Sequence, residues 1–212
     1  MPSVGHRALV LLLVASLANW RVAGADDSGS DRAGRGDESA VRVAIGLHDG
    51  ASVIGRIVVE ALDGGILVEH DDGRYEIIQP DRLAGHPPTP TPAAEPDTPQ
   101  AVGRRMLAEL PPGFDLLVTK HYVICFDTSR DYAKWCAALF ERLHDAFGTY
   151  WQRAGLEVHA PPRPLVVVIF ADRRGYEAHA AATLGAAAGR VVGYYDMLSN
   201  RVTTYDLTGG DA

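Results

Sequence analysis

The chain has 212 residues, 47% hydrophobic and 22% charged, and its 27 acidic against 20 basic side chains give a formal net charge of −7. That balance excludes a nucleic-acid or anionic-membrane binder unless the basic residues gather on one face. They do not: the arginines stand singly or in pairs among acids, as at Arg104-Arg105 and Arg173-Arg174.

At the N-terminus, His6 and Arg7 precede an apolar run from Ala8 to Ala18, and Ala23-Gly24-Ala25 stands ahead of Asp26-Asp27. This order predicts a secretory leader over residues 1–25, cleaved after Ala25, and a periplasmic or extracellular product. The run falls short of the roughly 20 apolar residues that cross a bilayer, so no membrane span is expected after cleavage. Asp26–Ser39 is charged, small or Gly throughout and reads as a disordered spacer that extends to about residue 40.

From Val41 the pattern turns to short apolar runs, VRVAIGL, SVIGRIVVE, GILVEH and RYEIIQ, parted by Asp49-Gly50, Asp63-Gly64 and Asp72-Gly73. Asp-Gly suits tight hairpins because glycine accepts a positive φ. Residues 41–85 therefore predict a small antiparallel module, curled into an SH3-like or Sm-like barrel to avoid open edges. An Sm-like RNA binder conflicts with both export and acidity. His70-Asp71-Asp72 is explained by the turn and needs no metal. Residues 86–100, HPPTPTPAAEPDTPQ, form a Pro-rich, semi-rigid linker.

Residues 101–212 mix helical and strand periods. A short helix to Leu110 stops at Pro111-Pro112-Gly113. FDLLVTKHYVICFD reads as one extended segment, and Thr128 with Asp131 signals the cap of a long helix. Along that helix Tyr132, Trp135, Cys136, Leu139, Phe140, Leu143, Phe147, Tyr150 and Trp151 form one apolar face. PLVVVIFAD predicts a strand covered on both sides, Asp172 caps a second helix, and RVVGYYDM and NRVTTYDL form a hairpin about Leu198-Ser199-Asn200. The fold class expected is mixed α+β or α/β: the small β module, the linker, then an α/β half-domain.

Chemistry-bearing motifs are scarce. His121 stands alone on its predicted strand and reads as a hydrogen-bonded scaffold residue; His144 lies beside Asp145 on the long helix and His179 sits among alanines, neither with a partner at ligand spacing. A helical zinc site needs two histidines four apart and an activating glutamate, and no His-Glu-x-x-His occurs in these residues. No catalytic or metal residue is therefore expected, and no cofactor. Cys125 and Cys136 allow two readings, a disulfide or two reduced buried thiols, the second preferred.

The stretches TKHYVICFDTS, FERLHDAFGTYWQRAG, PLVVVIFADRRGYEAHA and GYYDMLSNRVTTYDLTG resemble, in order, the first half of a peptidase-MA-like gluzincin family of exported bacterial proteins, a domain of unknown function. The resemblance implies an incomplete zincin-like half-domain, cut off before the helix that bears the zinc motif. Zinc is then expected only with a missing C-terminal half, and the chain as given is inactive. It also implies a cleft edge at which an extended peptide pairs as an added strand, made of Asn200, Arg201, Val202, Thr203, Thr204, Tyr205 and Asp206, with Tyr194 and Tyr195 lining it. The alternative is a non-catalytic exported module that engages a peptide or protein of the cell envelope.

Overall fold

The computed structural model describes residues 22–23, 41–92, 95, 97–158, 161 and 163–208. The leader's apolar run, its cleavage position and the spacer at Asp26–Ser39 lie outside the described residues. Strand β1 (Val22–Ala23) pairs antiparallel with β9 (Glu157–Val158). The chain divides into two compact units, one formed by residues 26–96 and the other by residues 97–212 with 1–25. No described helix is long and apolar enough to cross a membrane.

The first unit is an antiparallel meander of β2 (Arg42–Gly46), β3 (Ser52–Glu60), β4 (Ile66–Glu69) and β5 (Tyr75–Ile78). A 3-10 turn at Pro80–Arg82 leads to β6 (Thr89–Pro90), which returns beside β2. Its three hairpin turns use one device: Asp49, Asp63 and Asp72 each accept the amide two residues on at 2.9–3.0 Å, and Gly50, Gly64 and Gly73 take φ of 81° to 89°. Val43, Ile45, Leu47, Ile66, Val68 and Ile78 form its core.

Two expectations need correcting here. The strand order is β5-β4-β3-β2-β6, and no pairing among the described residues joins β5 to β6, so the sheet is open rather than a closed barrel. Thr89–Pro90 belongs to this sheet although its prolines read as linker, because an edge strand tolerates a residue without an N–H.

The second unit is a three-layer α/β sandwich. Helix α1 (Pro99–Glu109) is capped by Thr98, and β7 (Asp115–Val118) and β8 (Tyr122–Phe126) form a hairpin where one extended segment was expected. Then follow α2 (Arg130–Arg153), β10 (Leu165–Phe170), α3 (Arg173–Leu184), β11 (Gly193–Asp196) and β12 (Arg201–Tyr205). The order β11-β12-β10-β8-β7 places three parallel strands at the centre and an antiparallel strand at each border. α1 and α3 cover one face over Val123, Cys125, Val168 and Phe170, while α2 covers the other over Tyr122, Ile124, Val167 and Ile169. Asp172 caps α3 as expected, accepting from the Gly175 amide at 2.7 Å. The cap of α2 is Ser129, not Thr128, because the Thr128 hydroxyl instead donates to Asp206 at 2.6 Å.

Candidate functional site

The densest polar cluster on the α2 side of the sheet lies where the β7–β8 turn meets the middle of α2. Glu141 is the anchor. Its Oε1 accepts from the Thr119 hydroxyl at 2.6 Å and the His121 amide at 2.9 Å, and its Oε2 sits 2.6 Å from His121 Nδ1. Burial alone would raise the Glu141 pKa, but these three donors outweigh it and hold the carboxylate below its usual range. An ionised carboxylate can only accept, so the proton in this contact sits on His121 Nδ1.

His144, one helical turn from Glu141, is 6% exposed and stacks on His121 with ring centroids 3.8 Å apart and planes 15° from parallel. Burial first, and then the nearness of His121, lower its pKa. Tyr122 closes the pocket edge-on to His144, and Asp145 reaches from the solvent side, its carboxylate 3.8 Å from His144 Nδ1. One ligand atom from each of His121, His144 and Asp145 lies within 4.8 Å of the other two.

The sequence shows no partner for His144 at ligand spacing, and the fold brings His121 to it from another element. The turn before β8 swings His121 onto the face covered by α2, out of the strand alternation that would have aimed it away. The readable signal was Glu141-x-x-His144, two polar side chains on one face of an otherwise apolar helix stripe. His179 packs on Phe170 at 5.1 Å, and burial lowers its pKa.

The residues expected at a cleft edge are placed differently. Strand β12 is interior, flanked by β11 on one side and β10 on the other, so Arg201, Val202, Thr203, Thr204 and Tyr205 have their backbone groups engaged and offer no edge. Val202 and Thr203 are buried, Arg201 pairs with Glu109 at 2.7 Å, and the Thr204 hydroxyl donates to the Val192 carbonyl. Tyr205 packs on Tyr176. Asp206, 7% exposed, ties the ends of β8 and β12 together by accepting from Thr128 and Thr208. Asn200 takes φ of 56° in the hairpin turn and accepts the Tyr195 hydroxyl at 2.9 Å. The true border strand is β11, which carries Tyr194, turned into the core, and Tyr195, half-buried on the α2 side.

Cys125 and Cys136 are free and buried, and they cannot join: Cys125 points to the α1/α3 side of the sheet and Cys136 packs from α2 on the opposite side. Burial pushes the Cys125 thiol up to about 12 and raises that of Cys136, so both rest as small apolar groups.

Comparison with protein-family models, with curated proteins and with solved structures finds no match.

Proposed function

We propose that this is an exported, zinc-metallopeptidase-like protein whose 97–208 unit holds an extended polypeptide without cutting it. The observation that carries the reading is β11, a short antiparallel strand that stands last in the order of a sheet with a parallel centre, with β12 as its one strand partner among the described residues. Such a border accepts a peptide as a further strand, with backbone hydrogen bonds supplying affinity. The order of a long helix, a central strand, a second helix and a closing antiparallel hairpin agrees with a zincin-like half-domain. In the first unit, the return of β6 to the side of β2 supports an SH3-like arrangement.

Further support comes from exposed apolar side chains where the start of α2 meets the end of β12. Tyr132 packs on Trp135, which is 56% exposed, and the Tyr132 hydroxyl accepts the amide of Leu207, 58% exposed. Apolar surface of this kind suits contact with more polypeptide. His-Glu-x-x-His is absent from these 212 residues, so no water activated by that motif can attack a substrate amide.

Titrating an unstructured, β-prone peptide into labelled protein tests the proposal. Amide shifts should concentrate on residues 193–196, and added zinc should produce no cleavage. Shifts spread elsewhere, or chelator-sensitive hydrolysis, would overturn it.

The alternative, a non-catalytic binding module of the cell envelope, draws on a cleft of about 420 Å³ in the first unit, lined by Ile45, Ile57, Ile66, Leu83, Pro87 and Pro88. Peptide capture by residues 41–92 alone would favour it.

A further inference from the structure

We propose that His121, His144 and Asp145 form a binding site for a divalent transition-metal ion of the zinc class, with Glu141 as the residue that orients His121. The site is independent of the peptide-holding reading: it lies where the parallel strands β8 and β10 begin, whereas the hairpin β11–β12 carries the proposed peptide contact.

The donor set fits the ion. Two imidazole nitrogens and one carboxylate oxygen are ligands that zinc, cobalt and nickel share, and calcium and magnesium are disfavoured by the nitrogens. The hydrogen bond between His121 Nδ1 and Glu141 is the support that metal-bound histidines commonly have: it fixes the ring and leaves Nε2 as the nitrogen available to an ion. Glu141 is itself held by Thr119 and by the His121 backbone, so the orienting carboxylate is fixed rather than mobile. His144 is 6% exposed, while the Asp145 side chain is 74% exposed, so the cluster has a buried floor and an open mouth. An ion entering there meets three protein ligands and keeps a position for solvent.

Loading demands one movement. Ligand atoms around a tetrahedral zinc lie about 3.4 Å apart, given bonds of roughly 2.0–2.2 Å. The three atoms are within 4.8 Å of one another and must draw in, and the two rings must turn out of their parallel stack so that both lone pairs converge. Loading therefore requires rotation of His144 about its Cβ–Cγ bond and of the exposed Asp145 side chain. The loaded site would pin the β7–β8 turn to α2, a cross-link between elements distant in sequence. No hydrolytic step is assigned to it.

Cobalt(II) and zinc added to the untagged chain test the site. The expected result is one ion per chain, visible and near-infrared cobalt bands of a four- or five-coordinate N/O site, and a shift of the His121 Nε2 resonance while Nδ1 stays protonated. Asp145→Asn, a change at an exposed position that leaves the fold intact, should weaken uptake about 10-fold or more, and Glu141→Gln should weaken it by about 10-fold. His121→Gln should abolish it. Failure of the parent chain to take up cobalt, or uptake that Asp145→Asn leaves unchanged, would overturn the site. Neither result bears on amide shifts at residues 193–196, so the two proposals fail separately.

Discussion

The two faces of the five-stranded sheet are covered by different means. One lies under two helices, and Val123, Cys125, Val168, Phe170 and Tyr176 there are all 2% exposed or less. The other lies under α2 alone, which rests on β8. Five strands at about 4.8 Å spacing span roughly 19 Å, and a helix with its side chains is only about 10–12 Å wide. A single helix must leave part of that face bare. The face with two helices is plain core; the face with one buries Ile124, Val167 and Ile169 as fully at its centre and holds the histidine cluster beside them.

If that contrast holds, substitutions on the two faces should differ in size. Phe170→Ala, which removes a ring packed edge-on to Phe114, should cost about 3–5 kcal/mol of unfolding free energy in urea titrations. A loss under 1 kcal/mol would show that the covered face is loosely packed. On the other face, Glu141→Ala strips acceptors from Thr119 and from the His121 amide and should cost about 1–3 kcal/mol. Hydrogen exchange should show the β7–β8 turn opening first.

Acid should act through the single-helix face. His144 has its pKa lowered in the fold, so the unfolded chain takes up the proton first. Its contribution is complete above the ordinary value of 6.5 and declines as pH falls from there towards the lowered value. Glu141, also lowered, keeps its contribution above 4.5 and loses it as pH falls through its depressed value. Urea midpoints should fall in two stages, the first as pH drops below 6.5 and the second below 4.5, and His144→Phe should flatten the first. The smallest effect belongs to Trp135→Lys, which should change stability by no more than about 0.5 kcal/mol while reducing self-association in sedimentation.

Periodicity revealed most of the fold but little of the cluster. The Asp-Gly hairpins, the buried run at Leu165–Phe170 and the cap at Asp172 are local signals, and each appears where local chemistry puts it. The apolar stripe of α2 is wider than the surface it covers: Trp135, Leu139 and Tyr150 follow helical spacing and yet face outward. Spacing identifies a stripe but not how much sheet lies beneath it. The same limit hid the edge strand: NRVTTYDL and RVVGYYDM have equal strand character, and only pairing shows β12 to be interior. The approach of His121 to His144 depends on where one turn ends, which neither periodicity nor motif spacing records.

The opposed placement of Cys125 and Cys136 has a consequence for how the chain reaches its fold. The two thiols are near neighbours in sequence, so in the unfolded chain they meet often and an oxidant can link them readily. The native sheet requires them to part to opposite sides. A bond formed early would act as a covalent trap, and correct folding would first require its reduction. Refolding yield should therefore rise with added thiol and become independent of it in Cys136→Ala.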